Sequence, residues 1–459
     1  MQIRSNPNRL MFVATNSGAG KTTVVCSVLK ALIDRGEKVS SFKCGPDYID
    51  PMFHSEIIGT KSCNLDIFMM GENGVKSSLC KNSKEKGISI IEGVMGMYDG
   101  LGFDSDYASS NHLALITKTP TILIVGVRGM SFSLVAMIEG FLKLRENNIR
   151  GIILNHCNDM TYPYYKEMIE TNCKIKVYGY MSKVEGASLE SRHLGLVTAS
   201  EVSNLKDKIA LLGREAQRTI ELDLLLELSQ ETKELEFEEV ASIVSEQKPV
   251  TIGVARDKVF SFIYSDNIRI LNELGVKIKY FSPLNDELPP PDIDGLMFFG
   301  GYPELYMKEL SMNSSMRTAL KEMIESKMPT YAECGGFMYL LEKISDGKNS
   351  FDMLGVIEGE SFLTKKLVRF GYQTLTAKTD NLLFREGESV NAHEFHYSDS
   401  TNNGTSLTSS KKNRSWDCVH ADESIFAGFP HLNFVAYPQL ASRFLSACMK
   451  YKTEKTKEK

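Results

Sequence analysis

The sequence predicts two α/β domains in tandem, and three observations carry that reading. Apolar strand-like runs alternate with amphipathic helical stretches through the first half of the chain. A second series of the same kind begins at Val250, after a stretch rich in Glu, Ser and Lys. At 459 residues the chain exceeds one ordinary core, which favours two domains of about 200 residues each. The boundaries follow as 1–235, a linker at 236–248, a second domain at 249–449 and a charged tail at 450–459.

Leu10-Met11-Phe12-Val13-Ala14 reads as the first strand. Lys21 to Arg35 reads as a helix with Val24, Val25, Val28, Leu29, Leu32 and Ile33 on one face and Gly36 as its stop. Further strands are expected at Ser89–Glu92, Thr121–Val125 and Gly151–Asn155. Glu227 to Lys248 reads as an exposed helix and linker. In the second domain, strands are expected at Val250–Ala255, at Gly295–Phe299 and in the run ending at Cys334, with antiparallel additions around Gly371–Ala377 and His393–Tyr397. Asp399 to Arg414, rich in Ser, Thr and Asn, reads as a surface loop, and the tail from Lys450 as frayed. No internal repeat is present.

With 42% apolar and 24% charged residues, the composition is that of a soluble globular protein. A formal charge of -5 without a basic stripe excludes nucleic acid as the expected partner. Nine scattered cysteines form no C-x-x-C pair and no zinc spacing. No segment has the apolar length of a signal region or membrane span. A cytoplasmic enzyme with reduced thiols is expected.

Two motifs carry chemistry. Ser17-Gly18-Ala19-Gly20-Lys21-Thr22-Thr23 follows a strand and opens a helix, the order a phosphate loop requires. Its backbone N–H groups face the anion, the lysine reaches the β/γ-phosphates and Thr22 ligates magnesium. Thr15 stands where the strict spacing has its first glycine. Glu92 ends an apolar strand before Gly93, a placement suited to magnesium. Lys43 to Pro51 forms a stiff polar loop with two carboxylates. The other motif is Ala332-Glu333-Cys334-Gly335-Gly336. Strand, sharp turn and helix make a nucleophile elbow, where a helix N-terminus stabilises a thiolate. A thiolate that attacks amides and a loop that holds nucleotide phosphates together predict an ATP-driven amide-forming enzyme fed by glutamine.

Taken together, these segments resemble the cobyrinate a,c-diamide synthase family over nearly the whole chain. The carrying residues are Ser17–Thr23, Phe42–Pro51, Ile91–Gly100, Arg192–Val197, Val254–Phe260, Gly300–Leu305, Ala332–Gly336 and His393–Ser398. The resemblance implies an N-terminal P-loop NTPase domain with a mostly parallel sheet and a C-terminal class I glutamine amidotransferase-like α/β domain. It implies conversion of the a and c acetates of a corrinoid to carboxamides, with ATP, Mg2+ and glutamine. It places Asp47 and Glu92 with Thr22 on magnesium, and Tyr48, Asp50 and Asp99 on the tetrapyrrole. Gly300 and Gly301 become oxyanion donors. His431, in Phe429-Pro430-His431-Leu432-Asn433-Phe434, becomes the residue that activates Cys334. Where the family has a second histidine this chain has Asn433, and Phe299 replaces a usual glycine, so the third member of the hydrolytic set stays open.

The expected partners are therefore tetrapyrrole, glutamine and ATP, without nucleic acid or membrane; a homodimer is allowed. Nickel-sirohydrochlorin and hydrogenobyrinate are alternative substrates, and cobyric acid synthase shares both domains. A nucleotide-switch ATPase with a dead amidotransferase domain is the alternative from another class. His393 and His396 sit in a strand-like segment and read as structural or glutamine-pocket residues rather than metal ligands. Met69-Met70 reads as packing.

Overall fold

The computed structural model describes residues 2–85, 87–187, 205–239 and 250–457. The Arg192–Val197 motif and most of the 236–248 linker lie outside them. The chain divides into two compact units, Met1–Ile67 with Gly71–Glu239, and Phe68–Met70 with Val240–Lys459.

The first unit is built on a seven-stranded parallel sheet. Its order is Ser62–Leu65, Val39–Cys44, Ile88–Glu92, Arg9–Ala14, Thr121–Gly126, Ile149–Asn155 and Val177–Met181. All six residues of Arg9–Ala14 are buried, as befits a central strand covered on both faces. The chain leaves this strand, forms the phosphate loop and enters the Lys21–Asp34 helix. Val24, Val25, Val28, Leu29 and Leu32 of that helix are buried against the sheet, as its apolar spacing predicts. Because Arg9–Ala14 pairs with Ile88–Glu92 on one side and Thr121–Gly126 on the other, successive crossovers diverge at its carboxyl end. Ligands of open α/β sheets bind at such a point.

The second unit has a six-stranded sheet in the order Lys277–Phe281, Thr251–Ala255, Gly295–Phe298, Thr330–Glu333, Ile425–Gly428 and His420–Ala421. Its first five strands run parallel and the last is antiparallel. A second, mostly antiparallel sheet is built around the long Ile357–Ala377 strand and its partner Ser389–Ser400.

Three sequence expectations change. The Glu227 region is not simply exposed: the Leu222–Gln230 helix buries Leu222, Leu225 and Leu228, and Leu235–Glu238 pairs as a strand with Gln2–Ser5. The segment expected as a loop from Asp399 instead holds the end of one strand and all of Leu407–Lys411, whose Leu407 and Ser409 point inward. Alternation, not composition, decided it. The charged tail is also not frayed over its length, since the Pro438–Lys457 helix runs through it. Met69 and Met70 are buried, as packing residues are. Among the described residues no helix is long and apolar enough to cross a membrane.

Candidate active sites for phosphate and amide chemistry

The phosphate loop turns through two glycines in left-handed conformation, Gly18 at φ 85° and Gly20 at φ 84°. Gly20 has a second constraint: a Cβ there would lie 2.0 Å from Asn155 Nδ2, and that amide donates to the Ala19 carbonyl at 2.9 Å. The turn aims the first N–H groups of the following helix outward, and the helix dipole adds to their attraction for anions. Lys21 Nζ donates to the Met95 carbonyl at 3.0 Å. Burial and the charge of Lys43 draw its pKa down, against Glu92 and Asp50.

Glu92 is the hub. Its Oε1 accepts from Thr22 Oγ1 at 2.6 Å and from Lys43 Nζ at 3.0 Å. Its Oε2 lies 3.3 Å from His54 Nε2. The His54 ring is held from the other side by Ser41 Oγ at 2.7 Å. His54 is fully buried at the start of a π-helical turn, His54–Ile58, a distortion often found beside functional sites. Burial alone would protonate Glu92, but Lys43, His54 and Lys21 outweigh it and keep the carboxylate ionised. Lys43 also pairs with Asp50 Oδ2 at 2.6 Å. Burial opposes its charge, and Asp50, Glu92 and Asp47 together hold the ammonium protonated.

The predicted residues are distributed as follows. Thr22, Lys21, Glu92 and Asp50 converge in this network. Asp47 adjoins it: burial and the Asp50 charge push its carboxyl up to about 7, and its Oδ1 accepts from the Ile49 N–H at 2.9 Å. The loop that carries Asp47 and Tyr48 is held by Asn64 Nδ2, which donates to the carbonyls of Gly45 and Asp47 at 2.9 and 2.7 Å. Asp99 stands apart from the hub, exposed, with its Oδ2 capping the Gly96 N–H at 2.8 Å. Magnesium takes hard oxygen ligands and keeps several from water or phosphate. Thr22, Glu92 and Asp47 offer such donors. Among the described residues no three His, Cys, Asp or Glu side chains converge to hold a metal alone, and a magnesium ion here would complete its shell with water and phosphate oxygens. Sequence reasoning missed Lys43 and His54.

In the second unit, Cys334 joins the Thr330–Glu333 strand to the Gly335–Leu340 helix at φ 49°, ψ -107°. A cysteine in that region stores roughly 1–3 kcal/mol of strain, the expense of projecting a nucleophile from a sharp turn. The two glycines after it are obligatory. A Cβ on Gly336 would meet the Phe298 carbonyl at 2.3 Å, and one on Gly335 the Gly301 N at 2.9 Å. The Gly300–Gly301 loop therefore lies against the nucleophile's helix. Gly300 leaves room for the His431 imidazole too, since its Cβ would stand 2.6 Å from His431 Cε1.

His431 is brought to Cys334 as predicted. Its ring hydrogen-bonds both Cys334 and Glu333, with Nδ1 3.1 Å from Glu333 Oε1. Burial would deprotonate the ring, but the neighbouring Cys334 and Glu333 charges raise its pKa to about 10. Asn433 Oδ1 is engaged in a local turn, accepting from the Val435 N–H at 3.0 Å. The carboxylate that meets the His431 ring is that of Glu333. It is fully buried, and its Oε2 accepts from the Leu432 N–H at 3.2 Å and contacts the Tyr331 hydroxyl. Its position, one residue before the cysteine, was the available signal. Phe299 turns its ring into the core against Tyr331. The His396 ring is engaged on both nitrogens, by Ser398 O at 2.6 Å and Glu394 Oε2 at 2.9 Å. His393 pairs its backbone with His431.

Comparison with known proteins agrees with this division. Residues 10–197 match the CobQ/CobB/MinD/ParA nucleotide binding domain, and 251–438 the CobB/CobQ-like glutamine amidotransferase domain. The cobyrinate a,c-diamide synthase of Clostridium tetani is 40% identical over 93% of this chain and 97% of its own length. That of Caldanaerobacter subterraneus is 39% identical over 96% and 98%. That of Thermoplasma volcanium is 38% identical over 96% and 98%.

Proposed function

The chain belongs to the cobyrinate a,c-diamide synthase family, and from that premise we propose that it amidates the a and c acetate carboxylates of cobyrinate, using ATP and glutamine. The observation that carries the reading is the survival of both reactive clusters: Lys21, Thr22, Lys43 and Glu92 in one unit, and Cys334, His431 and Glu333 in the other.

A carboxylate resists attack by ammonia because its leaving group would be oxide. Transfer of the γ-phosphoryl group from ATP turns it into an acyl phosphate. Ammonia then displaces phosphate and leaves the amide. In that transfer the N–H groups of residues 17–23 hold the polyphosphate and Lys21 offsets the charge that spreads over the transferring group. Thr22, Glu92 and Asp47 would hold a Mg2+ ion there, which would supply further charge neutralisation. Lys43 keeps Glu92 ionised and pairs with Asp50, and Tyr48, Asp50 and Asp99 are assigned to the tetrapyrrole.

Ammonia comes from glutamine. The Cys334 thiolate adds to the amide carbon, and the oxygen takes the developing charge toward the amides of Gly300 and Gly301 and the backbone N–H after Cys334. His431 imidazolium gives its proton to the departing ammonia, which leaves a thioester. Water then attacks the thioester as His431 takes up the proton, and glutamate departs. Glu333 fixes the ring with Nδ1 protonated, so that Nε2 faces the sulfur.

Mass spectrometry of cobyrinate incubated with protein, ATP, Mg2+ and glutamine tests the reading. Two carboxyl-to-amide conversions are expected. Conversion of nickel-sirohydrochlorin instead would reassign the substrate. Product with ammonium alone would separate a competent synthetase from an impaired glutaminase, and no product under any condition would overturn the proposal.

A further inference from the structure

Two buried polar atoms beside the oxyanion loop lack any hydrogen-bond partner. One is Ser261 Oγ, the other Glu304 Oε2. Both belong to segments that touch Gly300–Gly301. Ser261 precedes Phe262, whose N–H donates to the Gly300 carbonyl at 3.0 Å. Glu304 lies in the single turn Pro303–Leu305, one residue beyond the glycines. That turn rests on the elbow: Pro303 Cδ is 2.9 Å from where a Cβ on Gly335 would stand. An unsatisfied hydroxyl and an unsatisfied carboxylate oxygen are costly, at about 1–3 kcal/mol each and more for a charge. Each such group in a native protein calls for an explanation, and a polar ligand supplies one.

The chemistry of the missing ligand follows from the sign of the charge. A desolvated carboxylate calls for a cationic donor, and burial pushes the Glu304 carboxyl up to about 7 against the partial relief of its own backbone N–H. A metal is a poor candidate, because among the described residues no second and third acidic or imidazole ligand converges there. Glutamine brings a suitable cation. Its ammonium stands four bonds from the amide carbon that Cys334 would attack, and the turn that carries Glu304 packs on Gly335, the residue after that cysteine.

On the reading that this unit hydrolyses glutamine, we propose that Glu304 receives the α-ammonium of glutamine and so selects an α-amino acid amide over other primary amides. Ser261 Oγ completes the polar lining beside it. The carboxylate touches the substrate's remote end and not the bond that breaks, so its contribution is to binding and positioning.

The test compares glutamine with 4-carbamoylbutanoate, which is glutamine without the α-amino group, in the full-length protein. The readout is the ratio of kcat/KM for the two amides, or of their competitive inhibition constants where the analogue is not turned over. Loss of folded protein lowers both arms equally and leaves the ratio intact. Wild type should prefer glutamine by roughly 10- to 100-fold, the range for a charge-assisted hydrogen bond. Glu304→Gln should bring the ratio close to one through a fall on glutamine alone, and Glu304→Asp should retain part of the preference. A ratio unchanged in Glu304→Gln, or a wild type indifferent to the α-amino group, overturns the proposal. A wild type that cleaves neither amide and binds neither would overturn the glutaminase reading itself, a separable failure.

Discussion

Replacing Glu333 by glutamine removes one negative charge and one acceptor from a site that presents three donors to the carboxylate. His431 Nδ1 is 3.1 Å from Oε1, the Leu432 N–H is 3.2 Å from Oε2, and the Tyr331 hydroxyl also reaches Oε2. A carboxylate accepts from all three. A carboxamide has one oxygen and one NH2 group, so either orientation sets N–H against a donor. If the NH2 faces His431, the ring must present Nδ1 as acceptor, and its proton moves to the nitrogen that should face Cys334. If the NH2 faces Leu432, a fully buried N–H goes unpaired, at about 1–3 kcal/mol. The first outcome is the wrong-tautomer failure that costs a Ser-His-Asp enzyme about 10⁴ in kcat. Loss of the charge-assisted bond alone is worth roughly 10- to 100-fold. Glu333→Gln should therefore lower kcat for glutamine-dependent amidation by about 10²–10⁴. Amidation driven by ammonium, assayed in the same preparation, should fall far less, because it bypasses the thioester. Glutamine-dependent kcat within fivefold of wild type, in protein of unchanged melting temperature, would refute the role given to Glu333.

Lys43→Met should destabilise the first unit by about 3–5 kcal/mol in denaturant unfolding, since it removes the ammonium paired with the fully buried Glu92; a loss under 1 kcal/mol would mean that this carboxylate simply protonates. The His431 pKa is raised in the folded state to about 10 from 6.5. Its contribution to stability is thus complete below pH 6.5 and disappears as pH rises through about 10. Glutaminase activity should decline over the same alkaline limb, because the leaving ammonia then finds no proton. Imidazole NMR titration should place the His431 pKa lower in Cys334→Ala than in wild type, as Cys334 is the strongest of the neighbours that raise it. Gly20→Ala combines φ 84° with a Cβ placed 2.0 Å from Asn155 Nδ2, so it should cost more than about 1 kcal/mol. Thermal unfolding and nucleotide titration would register the loss.

How far this architecture can be read from sequence depends on whether each feature is made locally or by distant segments. The phosphate loop and the cysteine elbow are local: a strand, a turn whose glycines have steric reasons, and a helix. The antiparallel additions at Gly371–Ala377 and His393–Tyr397 also announce themselves by alternation, and both fall within strands. The Val39–Cys44 strand does not, although all six residues are buried. Its Ser40, Ser41 and Lys43 look solvated by composition. Each is satisfied inside: Ser40 by Ser89, Ser41 by His54, and Lys43 by Glu92 and Asp50. Hydropathy prices a side chain as though it stood alone, whereas a buried polar group is tolerable once its partner is buried with it. Glu333 was hidden by the same mechanism. In the sequence it is only the residue before the nucleophile, and its partner His431 lies 98 positions away. The residues that sequence reasoning misses here are therefore those whose chemistry exists only in pairs. Cys334 and Lys21 can be recognised one motif at a time, while Lys43, His54 and Glu333 acquire their roles when the sheet brings Glu92 and His431 against them.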